Sequence, residues 1–311
     1  MTKNNGTQLL LSAPPYIWTG RSTGFAMWAV LIALLPVLGT SVYLFGLSAL
    51  ILVFFTCLGA VLTEYLCLLL RGQRWKNEMS SLVTGLLLAL SLPPTLPLWM
   101  GFLGGVIAIS IGKQVFGGTG YNPFNPAIVG RVFLSVSFPA QMTEWIRPFD
   151  TVTSATPLAG GTENLWNLAA GTIAGSLGET SAIAILLGGL MLVMLRVIDW
   201  RLPVATIIGI ILFALAFGEN PMFHVLSGAL LFGAFFMCTD WVTTPMGRMG
   251  RWIFGFGVAF ICMVIRVWGN YPEGFSFALL FMNGLTPLIN RYDLLFSERR
   301  RRTNVRTAME T

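Results

Sequence analysis

The sequence carries little charge: only 10% of its 311 residues are Asp, Glu, Lys or Arg, and it has one histidine. A soluble globular domain carries about 25% charged residues, so the composition excludes an ordinary soluble enzyme. The four cysteines form no CxxC pair, and no GKS/T phosphate loop is present. We therefore predict no metal site and no catalytic side chain, and we assign the cysteines to packing.

What the sequence has instead is apolar surface: 55% of its residues are hydrophobic, and the mean hydropathy is +0.75. This is more than a soluble domain of this length can bury, which indicates an integral membrane protein surrounded by lipid. The net charge of +6 comes from short basic clusters between apolar runs. Such spacing fixes topology and does not favour a nucleic-acid partner.

Ten apolar runs alternate with polar links, which predicts an all-α membrane protein with about ten transmembrane helices. Several runs are shorter than a full span and contain Pro or Gly, so we expect broken helices among them. The runs are 25–44, 47–70, 80–92, 99–112, 124–139, 180–197, 202–217, 223–239, 252–268 and 275–292.

Basic residues follow every even-numbered run, as in the clusters Arg71–Lys76, Arg248–Arg251 and Arg299–Arg302. Because Lys and Arg collect on the cytoplasmic side, we expect both termini to be cytoplasmic. The predicted organisation is a leader (1–22), a five-helix repeat (23–140), an extracytoplasmic loop (141–179), a second five-helix repeat (180–293) and a basic tail (294–311).

Two weak internal sequence similarities support a repeat. Ser81–Leu87 resembles His224–Leu230, and Gly120–Pro123 resembles Gly269–Pro272. Because five is odd, two such repeats must be inverted in the bilayer, and inverted-repeat proteins place binding sites at paired broken helices.

Two turns are candidates for such a site. Gly112–Ala127 contains two Asn-Pro pairs, whose amides at Asn122 and Asn125 can hydrogen-bond a flat heterocycle or cap the next helix. Met237–Pro245 places Asp240 at the edge of an apolar run, where an acid either binds something or caps a turn.

Ionisable residues inside apolar runs are also functional candidates, and Glu64 and Arg131 are two of them. His224 is better explained as structural. Gly171–Ser181 precedes the sixth run, and its small and hydroxyl residues suit either an anion at a helix start or an ordinary cap.

The longest polar interval holds a hydroxyl-rich segment, Asp150–Leu158, with a Ser-Ala-Thr-Pro core. This segment, together with Gly175–Ser181, Asn122–Ala127 and Thr239–Pro245, resembles the family formed by two related membrane subunits. These are the B subunit of the Na+-translocating NADH:quinone oxidoreductase and the D subunit of the Rnf complex. The resemblance covers about residues 20–293, and the short leader favours the Rnf type.

The resemblance implies an electron-carrying subunit with FMN esterified to Thr156 by a flavin transferase. Asp150 and Ser154 are predicted to bind the same cofactor. It also implies a second, non-covalent flavin, riboflavin, for which Asn122, Asn125 and Asp240 are the candidate ligands. One departure is Trp241, where the family would have a small residue or proline.

For the whole protein, the resemblance implies a redox-driven translocase of the bacterial inner membrane that links NADH and ferredoxin to Na+ or H+ transport. The expected partners are the other subunits of the Rnf-type complex (A, B, C, E and G).

Several alternatives stay open from the residues themselves. Thr151, Thr153 and Ser154 are rival hydroxyls for the phosphoester, and an unmodified polar turn would look similar. A five-plus-five inverted repeat also resembles ammonium and urea channels, so a channel or solute carrier is the alternative function, and a membrane scaffold is a third.

Overall fold

The structure, a computed structural model, describes residues 22–73, 79–149, 165–171, 173–269 and 274–310, and all regular structure in these ranges is helical. The helices are α1 (Thr23–Phe45), α2 (Leu47–Leu70), α3 (Ser80–Leu90), α4 (Leu98–Ile109), α5 (Pro126–Ser137), α6 (Pro139–Met142), α7 (Leu165–Ala170), α8 (Ala182–Met194), α9 (Arg201–Phe217), α10 (Pro221–Leu226), α11 (Leu230–Phe232), α12 (Arg248–Trp268) and α13 (Gly274–Glu310). π-Helical turns extend α4 over Ser110–Gln114 and α11 over Gly233–Met237.

A whole or broken helix lies at each of the ten predicted apolar runs. In the part of the chain that the structure describes, α1, α2 and α12 are long and apolar enough to cross a membrane, and five further apolar helices are shorter. The eighth run is broken at 227–229, between α10 and α11. The predicted all-α, multi-pass membrane fold is therefore confirmed, and α6 and α7 are additions that the hydropathy pattern did not predict.

Close packing of small residues holds two helix pairs together. In the first pair, a Cβ on Gly59 of α2 would lie 2.4 Å from Phe102 O of α4, and one on Gly105 would lie 2.4 Å from Thr56 O. In the second pair, Gly209 of α9 lies against Ala259 of α12, and Gly255 of α12 lies against Ala205. Glycine lets the backbones approach where lipid supplies no hydrophobic drive between helices.

The packed glycines of the two helix pairs are related by one constant shift in residue number. Gly209 lies 150 residues after Gly59, and Gly255 lies 150 residues after Gly105. Adding 150 to the residue numbers of α3 gives the region of α11 and its π-turn, which we call the α11 segment. Adding 150 to the first residue of α4 gives the first residue of α12. This displacement supports two five-helix repeats, although the domain boundaries themselves stay predictions.

The helix ends lie on two faces. We call one of them the cavity face, because the helix ends there line a common cavity. These ends are the starts of α1, α3 and α5 and the ends of α4, α8 and the α11 π-turn. On the opposite face, Leu177 N donates to Leu92 O (3.1 Å) and Thr95 Oγ1 donates to Glu144 O (2.8 Å). Since α1 begins and α8 ends at the cavity face, the two halves run in opposite directions.

Candidate functional site

The hydroxyl-rich segment of the predicted external loop, Asp150–Leu158, lies outside the described residues. Asp150, Ser154 and Thr156 belong to it, as do the rival hydroxyls of Thr151 and Thr153. The assignment of covalent FMN to Thr156 therefore stays a prediction.

The three residues predicted for the second site lie around one cavity. Asn122 and Asn125 of the first half and Asp240 of the second half line one cavity of about 390 Å³ at the cavity face. Small-molecule sites in proteins occupy roughly 300–1,000 Å³. The cavity is therefore large enough for a cofactor-sized ligand.

The cavity wall changes from polar to apolar with depth. Apart from Thr84, one turn along α3, the polar lining residues lie at helix ends or in links at the face: Thr23, Ser80, Lys113, Thr119, Asn122, Asn125, Thr239 and Asp240. One or two turns further along the helices, the wall is formed by apolar residues: Val30, Leu87, Leu192 and Phe236. With about 1.5 Å of rise per residue, seven residues of α1 or α3 separate the polar mouth from the apolar floor by about 10 Å. Few convergent polar groups above an apolar floor suit an amphipathic, ring-containing ligand.

Asn125 connects the two halves as well as lining the cavity. Its Oδ1 accepts from Ala127 N (3.0 Å), which caps α5, and its Nδ2 donates to Met237 O (3.1 Å) at the end of the second π-turn. Asn122 Nδ2 donates to Phe124 O (3.1 Å). Each amide thus makes a structural hydrogen bond and also lines the cavity. The structural and the ligand-binding interpretations made from the sequence therefore apply to the same side chains.

Asp240 lies three residues after the end of the second π-turn. Thr243 Oγ1 donates to Asp240 Oδ2 (3.1 Å), and Thr244 Oγ1 donates to Asp240 O (2.8 Å), which fixes the turn. The next residue, Trp241, donates its indole N–H to Val197 O (2.7 Å) and forms part of the cavity wall. The tryptophan that departs from the family pattern therefore ties this turn to the link between α8 and α9.

The other π-turn presents Lys113 at the cavity. Lys113 Nζ donates to Glu64 Oε1 (2.5 Å) and to Ser80 Oγ (3.0 Å), and it is 2% exposed. The extra residue of a π-turn re-aims the side chains that follow it, and such turns are frequent at functional sites. Both π-turns of the described chain end at the same cavity.

The second buried ion pair lies towards the opposite face. Arg131 Nη1 donates to Glu179 Oε1 (2.9 Å), and both side chains are almost fully buried. Intramembrane charge identified Glu64 and Arg131 from the sequence, but not their partners, because Lys113 and Glu179 lie in polar links 49 and 48 residues away.

Two other residues considered from the sequence lie at helix ends. Ser181 Oγ accepts from Ala184 N (3.3 Å) and caps α8, as an ordinary N-cap does. His224 is buried in α10, with Nε2 3.7 Å from Glu219 Oε2. In the described part of the chain, no group of three or more His, Cys, Asp or Glu side chains could hold a metal ion.

Comparison with known proteins identifies the family. The model of the NQR2, RnfD, RnfE family matches residues 10–294. The chain belongs to this family. Membership favours a subunit of an ion-translocating oxidoreductase over the channel and scaffold alternatives, since these alternatives rested on fold analogy alone.

Individual members of the NQR2, RnfD, RnfE family are similar in sequence to this chain over most of their own length. The D subunit of the Na+-translocating ferredoxin:NAD+ oxidoreductase complex of Acetobacterium woodii is 43% identical over 93% of this chain and 94% of its own. The D subunit of the ion-translocating oxidoreductase complex of Stutzerimonas stutzeri is 42% identical over 85% and 89%. The D subunit of the proton-translocating ferredoxin:NAD+ oxidoreductase complex of Clostridium ljungdahlii is 39% identical over 91% and 93%.

Proposed function

We propose that this chain is the flavin-carrying membrane subunit of a redox-driven, ion-translocating ferredoxin:NAD+ oxidoreductase complex of the bacterial inner membrane. In that role it relays electrons while the complex moves Na+ or H+. The proposal is supported by relatives that are named as the D subunits of such complexes. The observation that carries it is the cavity shared by Asn122, Asn125 and Asp240.

The cavity fits the ring system of a non-covalent flavin. Phe236, Leu87 and Val30 supply apolar walls, and Asn122 and Asp240 supply acceptors and an amide donor at the mouth. Lys113 adds a buried cation whose charge Glu64 balances. The chemistry of electron transfer belongs to the flavin when it is bound. The residues of this chain orient it, exclude water from its apolar part and fix the charge beside it.

A second, covalent flavin at Thr156 is part of the same proposal, with a flavin transferase as the maturation partner. The sidedness of the chain supports it. Arg71, Lys113, Arg201 and Arg251 all lie at helix ends on the cavity face. If basic links are cytoplasmic, the segment 141–179 is outside and both termini are inside. The two flavins would then lie towards opposite faces, as a relay across the membrane requires.

The proposed test measures flavin in the whole complex carrying Asn125→Leu or Asp240→Leu in this chain. Losing one partner and leaving another buried group unsatisfied costs about 1–3 kcal/mol, so flavin affinity should fall about five- to a hundred-fold. Acid-extractable flavin should drop in both variants. Flavin bound to Thr156, detected by fluorescence after denaturing electrophoresis, should stay at the wild-type level.

Asn220→Leu is a matched control. Asn220 also precedes a proline and caps a helix, with Oδ1 accepting from Met222 N (3.1 Å), but it does not line the cavity. It should lower stability as Asn125→Leu does and leave extractable flavin unchanged. Stoichiometric extractable flavin in both cavity variants would show that Asn125 and Asp240 are caps and that the cavity does not hold a flavin.

A further inference from the structure

A second cavity of about 850 Å³ lies beside the first at the same face. It is formed between the link from α8 to α9 and the start of α12, and Trp241 and Val197 line both cavities. Four arginines line it, Arg196, Arg201, Arg248 and Arg251, and Asp199 is the acidic residue among them.

Asp199 balances only part of this charge. Its Oδ2 accepts from Arg201 Nη1 (2.9 Å) and also from Arg251 Nη1. Burial by itself raises the pKa of Asp199, but the Arg201 backbone N–H and the charges of Arg251 and Arg201 outweigh burial and lower it. The carboxylate therefore stays ionised at neutral pH and offsets one positive charge among four.

Arg196 and Arg248 supply the excess. Both are exposed at the cavity, and among the described residues neither has an ion-pair partner. Arg248 is also the first residue of α12, where the helix dipole disfavours a cation, and Gly247 before it provides no side-chain cap. An anion between these guanidinium groups would remove the like-charge repulsion.

The surroundings favour an anion with an apolar body. The cavity lies where α8 ends and α9 and α12 begin, at the boundary of the apolar helices. Trp200 and Trp241 are about half exposed there, as expected of aromatic side chains at a membrane interface. Met246, which also lines the cavity, is among the most exposed apolar side chains of the described chain. A free phosphate would use the arginines but leave these apolar side chains uncovered.

We propose that this cavity is a specific site for an anionic phospholipid, with the lipid phosphate bound by Arg196 and Arg248 and the Asp199 pairs holding Arg201 and Arg251 in place. Basic pockets between transmembrane helices at the cytoplasmic side are suited to such headgroups. Because Trp241 separates the two cavities, the bound lipid would also seal the wall of the first cavity against water.

The test uses the purified whole complex, delipidated in detergent and titrated with phosphatidylglycerol, phosphatidylethanolamine or inorganic phosphate while thermal unfolding and bound lipid are measured. A basic residue near an anionic headgroup contributes about 1 kcal/mol, so Arg196→Gln with Arg248→Gln should weaken phosphatidylglycerol binding about thirty-fold. Arg291→Gln removes an exposed charge that does not line the cavity and should leave binding unchanged.

The expected result is protection by phosphatidylglycerol in the wild type, loss of that protection in the double variant, and none from phosphatidylethanolamine. Equal protection by inorganic phosphate would show a free-phosphate site and overturn the proposal. Unchanged lipid binding in the double variant, or an equal loss in Arg291→Gln, would overturn it as well.

Discussion

Breaking the Arg131–Glu179 pair should cost more stability than removing any exposed carboxylate of this chain. The two side chains are 1% and 3% exposed, and Arg131 Nη1 lies 2.9 Å from Glu179 Oε1. Glu179→Gln keeps the shape of the side chain and leaves the Arg131 guanidinium buried beside a neutral amide. The perturbation thus isolates the charge.

The expected magnitude follows from this geometry. With an effective dielectric constant of about 20, two unit charges at this separation attract by about 6 kcal/mol. Part of this attraction offsets desolvation, and removing one partner of a buried pair typically costs about 3–5 kcal/mol. The loss should also loosen the segment before α8, because Gly178 N donates to Leu90 O (2.6 Å) and Ser41 Oγ donates to Leu177 O (2.5 Å) beside the pair.

Thermal unfolding in detergent, followed for Glu179→Gln, Arg131→Met and the double variant, measures this cost. Replacing both charges with uncharged side chains should be less damaging than the sum of the two single changes, since no buried charge is left alone. Glu144→Gln, an exposed carboxylate at the same face, should shift stability by no more than about 0.5 kcal/mol. If Glu179→Gln unfolds at the temperature of Glu144→Gln, the ion pair contributes nothing and the reasoning is wrong.

Three further predictions follow from the topology, the loop and the packing. Thr156→Val, coexpressed with a flavin transferase, should abolish flavin fluorescence that survives SDS; wild-type fluorescence would move the attachment to another hydroxyl. In a variant without the native cysteines, a cysteine at position 164 should react with an impermeant maleimide in intact cells and one at 297 should not; equal labelling would refute the orientation. Gly105→Leu should destabilise the α2–α4 pair by more than the roughly 1–3 kcal/mol typical of overpacking, because its Cβ would meet backbone; a stable variant would show that the helices can separate.

The sequence was sufficient to predict the helices and to single out three residues that line one cavity, for different reasons. Apolar runs predicted the helices because a membrane requires backbone groups to pair within each segment. Asn125 and Asp240 were recognisable because polar residues at broken spans are costly without a role. The cavity itself depends on which helix ends meet, and that is a tertiary property which spacing does not encode.

A weak internal sequence similarity also shows why the alignment of the two repeats could not be derived from apolar composition. Ser81–Leu87 resembles His224–Leu230, which pairs α3 with the break between α10 and α11. The packed glycines give a displacement of 150 residues instead, which pairs α3 with the α11 segment. Apolar runs resemble one another by chance in many alignments. A glycine that packs against a neighbouring helix is required at one position, so it is consistent with only one alignment.

The inverted arrangement relates the cavity face to the opposite face. At the cavity face the start of α1 meets the end of α8, and the start of α3 lies near the end of the α11 π-turn. The same symmetry would create a matching space at the opposite face, beside the ends of α1 and α3. There the backbone of 177–178 is inserted, with Leu177 N bonded to Leu92 O and Leu177 O accepting from Ser41 Oγ. Arg131 fixes this insert through Glu179. The Arg131–Glu179 pair therefore holds the 177–178 segment against the ends of α1 and α3, at the position that the symmetry relates to the cavity shared by the two halves.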